Sequence, residues 1–136
     1  MLSAETRALA WRRARGRCEY CQVHQDDLDF FTFHVEHIIP RKHGGSDHPR
    51  NLCPACPECN FAKGANLTGL VARRIVPLFH PRRQVWSRHF TFDGARLVGK
   101  TRAGKVTVDV LNMNEPARLA MRERLLEEGR WPPSGE

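Results

Sequence analysis

The chain has 136 residues, of which 40% are hydrophobic and 8% aromatic, a composition that excludes a disordered protein and predicts one globular domain with a modest core and room for an appended subdomain. A formal net charge of +7 favours a polyanionic partner, with nucleic acid ahead of an acidic membrane surface. The N-terminus does not resemble a signal peptide, and no stretch approaches the roughly 18 apolar residues of a membrane span. We therefore expect a cytoplasmic protein without a membrane partner. In that compartment, cysteine pairs are expected to bind metal.

The first predicted element is a helix over residues 4–15, where Ala, Leu, Arg and Glu dominate the composition. Ser3 is expected to cap its start and Gly16 to end it. Apolar residues at i, i+4 and i+7 spacing predict the buried stripe of this helix. That stripe consists of Ala4, Ala8 and Trp11.

A knuckle, a strand, a loop and a short helix follow. Residues 17–22 predict a tight turn around two cysteines. Residues 27–40 predict a strand or a hairpin, because they are rich in aromatic and β-branched residues and end in proline. A polar loop with two glycines covers residues 41–51, and a short helix is expected over about residues 59–63.

Short strands dominate the prediction for the second half of the chain. They cover residues 74–81, 84–92, 95–100 and 105–113. Asp93-Gly94 indicates a hairpin turn. The alternation of Val106, Val108 and Val110 with polar residues indicates a strand with one buried face.

A terminal helix closes the predicted order of elements. Asn114 is expected to cap it, Pro116 to lie in its first turn and Gly129 to end it. We therefore divide the chain into an N-terminal domain, residues 1–70, and a β-rich extension with a C-terminal helix, residues 71–136, which packs on that domain.

Five cysteines in two groups predict a structural zinc site. Cys18 and Cys21 form one Cys-x-x-Cys pair, and Cys53, Cys56 and Cys59 form an overlapping run. Two such turns present four thiolates to a tetrahedral ion and leave no position for water. The alternative, small buried hydrophobic side chains, explains the paired spacing less well. Spacing alone permits either Cys53/Cys56 or Cys56/Cys59 as the second pair.

A second group of residues suits a catalytic ion. Glu36 directly precedes His37 near the end of the predicted strand. A carboxylate can hold Mg²⁺ while a neutral imidazole takes a proton from water. Asn60 offers a neutral oxygen to the same hard cation, and Asn51 is placed to hydrogen-bond backbone and fix the loop that bears His37.

These residues together resemble an HNH endonuclease. The pattern "EHIIPRKHGG…NL…C..CN..K" spans about residues 12–64 and is similar to the zinc-bearing bacterial type, in which the final motif residue is asparagine. The resemblance implies an α+β protein: a ββα-metal finger stapled by a four-cysteine zinc site. To this finger we add the predicted C-terminal antiparallel β-sheet and terminal helix.

The resemblance also implies a role for each matching residue. His37 matches the general base, Glu36 the acidic metal ligand (usually aspartate), Asn60 the second metal ligand and Asn51 the asparagine that supports the active loop. The second zinc knuckle of the family ends directly before the metal asparagine. The implied zinc ligands are therefore Cys18, Cys21, Cys56 and Cys59, with Cys53 left over.

Basic residues near this motif are candidate phosphate contacts, with a solvated surface or an ordinary strand residue as the alternative. They are His34, Arg41, Lys42, His43 and Lys63. The predicted function is hydrolysis of DNA phosphodiester bonds, on double-stranded DNA, with one Mg²⁺ or Mn²⁺ ion beside the structural zinc. The alternatives are a zinc finger that binds nucleic acid without cutting it and a zinc-stapled protein-interaction domain.

Overall fold

The computed structural model describes residues 2–28 and 30–134. The chain forms two compact units: Met1–Leu67 with His80–Val85, and Thr68–Phe79 with Trp86–Glu136. Each unit combines helices with small antiparallel sheets, which confirms the predicted α+β class. Within the described residues, no helix has both the length and the apolar character that a bilayer span needs.

Helix α1 of the first unit covers Ala4–Ala14, so it begins as predicted and ends one residue earlier than predicted. The Ser3 hydroxyl oxygen accepts a hydrogen bond from the Thr6 N–H over 3.1 Å, which satisfies one of the free donors of the first turn. Arg15 and Gly16 take left-handed backbone conformations with φ of 55° and 76°. These conformations end the helix.

The predicted buried stripe of α1 is wrong. Ala4 and Ala8 are exposed, whereas Ala10 and Ala14 are buried and Trp11 lies at the edge. Ala10 packs with Val35 and Leu52 in one hydrophobic cluster. Two alanines one turn apart let the helix approach its neighbours closely, and this packing was not visible in the local spacing.

The next three elements of the first unit form a ββα arrangement. Strand β1 (His34–His37) pairs with strand β2 (Leu52–Ala55) in antiparallel register, with His37 opposite Leu52. Helix α2 follows over Pro57–Lys63, with Cys56 as its N-cap residue. The helix begins two residues earlier than predicted because proline is favoured at the first helical position.

The strand predicted over residues 27–40 is shorter in the structure. Residues 25–27 form a single 3₁₀ turn, and only residues 34–37 pair as a strand. The Gln25 side chain holds the intervening loop, because its amide donates to the Phe31 carbonyl over 2.7 Å and its oxygen accepts from the Phe33 N–H over 2.8 Å. Asp29 of the predicted strand lies outside the described residues.

A distant segment completes the first unit. Arg82 forms an ion pair with Glu19, 63 positions earlier in the chain, and both side chains are largely buried. Burial raises the pKa of Glu19, while the Arg82 guanidinium opposes that rise. Residues 80–85 therefore bring a buried cation to the turn that carries the first cysteine pair.

The described residues of the second unit form two hairpins and three helices. The hairpins are β3 (Thr68–Val71) with β4 (Arg74–Pro77) and β5 (Phe90–Asp93) with β6 (Arg96–Gly99), and the helices are α3 (Trp86–His89), α4 (Arg102–Val110) and α5 (Pro116–Glu127). The Asp93-Gly94 turn joins β5 to β6 as predicted. Part of the predicted strand 84–92 is instead the short helix α3.

The strand predicted over residues 105–113 is wrong, because most of it belongs to α4. The Thr101 side chain caps this helix by accepting from the Gly104 N–H over 3.0 Å. Val106 and Val110 are four positions apart, so they share a helix face as readily as a strand face. A Cβ atom at Gly69 would approach both valine side chains within 2.7 Å, so glycine allows close packing there.

The cap predicted for the terminal helix also differs. Glu115 is the N-cap residue of α5, and Pro116 occupies its first turn as predicted. Asn114 instead bonds the backbone of β6: its side-chain oxygen accepts from the Leu97 N–H over 2.9 Å, and its amide donates to the Leu97 carbonyl over 2.8 Å. The Asn114 side chain, which the local pattern assigned to the helix cap, is therefore engaged in a tertiary contact.

Candidate metal centre and active site

Four buried cysteines of the first unit are positioned to bind a metal ion. The sulfur atoms of Cys18, Cys21, Cys56 and Cys59 all lie within 4.8 Å of one another. The Cys21 and Cys56 sulfurs are 3.8 Å apart. Four sulfurs bound at about 2.3 Å from a tetrahedral zinc ion stand about 3.8 Å apart. The cluster therefore has the dimensions of a four-thiolate site.

Backbone groups orient the two cysteine pairs in the same way. The Cys21 N–H donates to the Cys18 sulfur over 3.5 Å, and the Cys59 N–H donates to the Cys56 sulfur over 3.3 Å. A donor aimed at sulfur favours the ionised thiolate, which is the form that binds metal. The first pair lies in a turn, whereas the second lies in the first turn of α2.

The thiols of this cluster need a cation in order to ionise together. Hydrogen bonds with the Cys18 and Cys21 side chains raise the pKa of Cys56, and burial raises the pKa of Cys59. Four close thiolates without a cation would repel one another in a poorly solvated interior. A divalent ion reverses this balance, because it stabilises each thiolate directly.

Cys53 stands outside the four-sulfur cluster. It lies on β2, fully buried, and burial raises the pKa of its thiol. The structure thus groups Cys56/Cys59 with Cys18/Cys21, the pairing that the family resemblance favoured over the alternative that spacing left open. Cys53 has the surroundings of a neutral, small core residue.

Glu36, His37, Asn60 and Lys63 meet at one cavity of about 240 Å³. β1 contributes the first two residues and α2 the last two, so the ββα arrangement brings them together from sequence positions more than 20 residues apart. The rest of the lining consists of Tyr20, Pro40, Arg41, Ala55 and Gly64. Glu36 and His37 are neighbours on a strand, yet both reach this cavity because β1 ends at His37.

The His37 side chain is held by a residue that the sequence analysis missed. Its Nε2 lies 2.7 Å from an Asp47 carboxylate oxygen, and the Arg41 guanidinium donates to the same oxygen over 2.8 Å. The hydrogen bond with His37 lowers the pKa of Asp47. A single aspartate in a polar loop carries no motif, so only the folded loop shows its relation to His37.

Asn51 holds the loop between the two strands, as predicted. Its side-chain oxygen accepts from the Ile39 N–H over 2.8 Å, and its amide donates to the carbonyls of Ile39 and Ser46 over 2.9 and 2.8 Å. Gly45 is required beside it, because a Cβ atom there would lie 1.6 Å from the Ile39 carbonyl oxygen. The loop is therefore held closed by the Asn51 side-chain amide and by the close approach of Gly45 to the Ile39 backbone.

Opposite charges lie at the cavity, where Glu36 is half-buried and Lys63 is buried. Burial raises the pKa of Glu36, whereas the neighbouring His34, His37 and Lys63 oppose that rise. Burial lowers the pKa of Lys63, and its ammonium donates to the Ile38 carbonyl over 2.9 Å. A bound cation would stabilise the Glu36 carboxylate directly. Lys63 fastens the end of β1 while it lines the cavity.

The remaining candidate phosphate contacts are spread around the cavity. Arg41 lines it, whereas His34, Lys42 and His43 are exposed and are not among its lining residues. Lys42 and His43 lie with Arg41 in a 3₁₀ turn after β1. Their contacts with phosphate remain predictions.

Replacing Asn51 with alanine should lower the free energy of unfolding by about 2–3 kcal/mol, because three hydrogen bonds are lost and buried backbone groups are left unpaired. Thermal and urea denaturation measure this loss. Asn66→Ala is the matched control, because Asn66 is exposed. Equal stability of the two variants would contradict the bracing role of Asn51.

Comparison with known proteins agrees with the resemblance seen in the sequence. Residues 18–66 match the family model described as HNH endonuclease. The chain is 30% identical over 119 residues to the Septu protein PtuB of Bacillus thuringiensis, a match that covers 83% of this chain and 42% of that protein. It is also 30% identical over 147 residues to the Septu protein PtuA of Bacillus mycoides (strain KBAB4), covering 86% and 20% respectively. The chain thus spans less than half the length of either relative.

Proposed function

We propose that the chain, whose residues 18–66 match the HNH endonuclease family model, is a metal-dependent endonuclease that hydrolyses phosphodiester bonds of double-stranded DNA. The meeting of Glu36, His37 and Asn60 at one cavity carries the proposal. A potential base, a carboxylate and an amide oxygen in one place are the groups that metal-assisted hydrolysis requires.

His37 acts as the general base in this proposal, and Asp47 is its positioning residue. With the carboxylate accepting the Nε2–H of His37, the neutral imidazole keeps the Nδ1 lone pair free for a proton from water. The hydroxide formed in this way attacks phosphorus, and the bond to the 3′-oxygen breaks. Asn51 keeps the loop carrying Asp47 and Arg41 in place.

Glu36 and Asn60 fit a hard divalent ion, Mg²⁺ or Mn²⁺, because both offer oxygen and the half-buried Glu36 carboxylate gains from a cation. When bound, such an ion polarises the phosphate and stabilises the leaving oxygen. Lys63, Arg41 and the exposed basic residues His34, Lys42 and His43 are proposed to contact phosphate oxygens. Asn60 follows Cys59 on helix α2, whose N-cap residue is Cys56, and the two cysteines fix its position.

The four-cysteine cluster is proposed to hold structural zinc, because thiolate ligands in a closed tetrahedral site suit that ion. Reduced thiols in such a site are typical of the cytoplasm, where we place the protein. We further propose that residues 1–70 form the nuclease domain and residues 71–136 an extension. The two relatives carry the names of two Septu proteins, A and B, which supports action together with a second protein.

A zinc finger that binds nucleic acid without cutting it is the alternative function. It accounts for the cysteine cluster and the net charge of +7. It leaves the joint presence of Glu36, His37 and Asn60 at one cavity without a purpose. The two functions therefore differ in a single observable, the breaking of DNA strands.

Incubating supercoiled plasmid with the purified protein tests the proposal. We expect conversion to the nicked form with Mg²⁺ or Mn²⁺, and none when EDTA removes the exchangeable ion while the thiolate-bound zinc is retained. Agarose gels measure the nicked fraction, and metal analysis after the EDTA step checks the zinc. Binding without nicking under each ion would favour the alternative.

A further inference from the structure

We propose that a second, basic groove of the first unit binds backbone phosphates of the nucleic acid, away from the bond that is cut. The groove has a volume of about 540 Å³. Its basic residues are His48, Arg50, His80, Arg82 and Arg83. This inference rests on the proposed function, which identifies the bound strand as DNA, and it describes how that same substrate is held.

The charge of the basic groove is suited to a polyanion. Half of its ten lining residues are Arg or His, and none of the ten is acidic. The charge of Arg82 is balanced by its ion pair with Glu19. Arg50 and Arg83 are exposed, so their guanidinium groups supply the cationic character of the groove.

The two histidines of the groove add hydrogen-bond donors. The His48 Nδ1 accepts from the Arg50 N–H over 3.1 Å, and the His80 Nδ1 accepts from the Arg82 N–H over 3.2 Å. A neutral imidazole whose Nδ1 is an acceptor carries its proton on Nε2. Both rings therefore offer an N–H donor, in addition to the guanidinium groups.

Burial and the neighbouring Arg83 lower the pKa of His80, so that this ring stays neutral at pH 7. The groove thus combines charged guanidinium groups with neutral N–H donors. Phosphate oxygens accept from both kinds of group.

The loop after β1 lines both the basic groove and the cavity that contains His37. Pro40 and Arg41 line the cavity, whereas Ile39 and residues 44–46 line the groove. Asn51 bonds Ile39 and Ser46, and so ties both sides of this loop together. Phosphate contacts of this kind position a strand without reading its sequence. A strand held in the groove would be fixed in register relative to His37.

Residues 80–85 supply three of the groove's five basic side chains, and they lie outside the segment that matches the HNH family. The chain leaves the first unit at residue 67 and returns to it for these six residues. The Glu19–Arg82 ion pair holds the returning segment against the first cysteine turn. The groove is therefore a feature of this chain's own extension.

The test compares Arg50→Ala/Arg83→Ala with Arg74→Ala/Arg124→Ala, a control that removes the same charge from exposed positions of the second unit. Both doubles are made in the 136-residue protein carrying His37→Ala, which suppresses cleavage. Binding to a fluorescently labelled DNA duplex is measured by anisotropy over a range of salt concentrations. We expect the groove variant to bind roughly tenfold more weakly, with a log–log salt slope shallower by about 2, since each lost phosphate contact releases about one fewer counterion.

Equal salt slopes for the groove and control variants would overturn the proposal. So would a groove variant that loses binding of a free nucleotide, AMP, while its salt slope on duplex DNA stays unchanged, because the groove would then serve a nucleotide. Metal content and melting temperature of both doubles confirm that they fold. Plasmid nicking is scored separately in protein that retains His37, so groove-dependent binding without nicking there would reject the nuclease function and leave the proposed groove intact.

Discussion

Replacing His37 with alanine is expected to lower the rate of plasmid nicking by about 10²–10⁴-fold, the usual contribution of a general base. The imidazole lines the cavity beside Glu36 and Asn60, and Asp47 holds its Nε2 over 2.7 Å. His37 is the only imidazole among the described residues that line this cavity. Initial rates of nicking under saturating Mg²⁺ or Mn²⁺ measure the effect.

His24→Asn is the matched control for this experiment. The His24 Nδ1 accepts from the Asp26 N–H over 3.0 Å in the cap of a 3₁₀ turn, and asparagine can keep that bond. The control therefore removes an imidazole from the same unit without touching the cavity. A His37→Ala variant that nicks within a few-fold of the control rate would remove His37 from the role of base.

Replacing Cys56 or Cys59 with serine is expected to release the metal and unfold the first unit. Structural zinc sites contribute about 10–16 kcal/mol of binding free energy in small domains, which matches or exceeds the whole stability of about 5–15 kcal/mol typical of a domain. Metal content of the purified variants and their circular dichroism on heating measure both losses.

Cys53→Ala should keep the metal, because its sulfur is outside the four-sulfur cluster. Removing one buried sulfur atom is expected to cost about 1 kcal/mol, a typical small core change. If Cys53→Ala lost the metal as completely as Cys56→Ser, the assignment of the ligand set would be wrong. If all three variants kept the metal, the metal would be bound at a site other than the four-sulfur cluster.

The sequence predicted the parts of the site that depend on local spacing. Cys-x-x-Cys turns bring two thiols together with few backbone degrees of freedom, so the pair at Cys18 and Cys21 could be recognised without a fold. Asn60 follows Cys59 directly and so inherits its position from the same helix. Short-range geometry of this kind is encoded in adjacent residues.

The parts that were missed depend on contacts between distant residues. Val106 and Val110 satisfy both a helical and an alternating period, and only packing beside Gly69 selects the helix. Strand β2 contains Pro54 between two apolar residues, a pattern that does not predict a strand until β1 lies beside it. Asp47 and Arg82 gain their roles from partners elsewhere in the chain. No local pattern contains such information.

The ion pair between Glu19 and Arg82 also sets an order of events during synthesis. A ribosome releases the cysteines and the whole ββα segment before it releases Arg82, 63 positions after Glu19. Until then the Glu19 carboxylate, in the turn of the first cysteine pair, lacks its Arg82 partner, and a charge without its partner is costly to bury. The first unit can therefore complete its folding only when residues 80–85 have emerged from the ribosome, and a fragment that stops at residue 67 would retain Glu19 without Arg82.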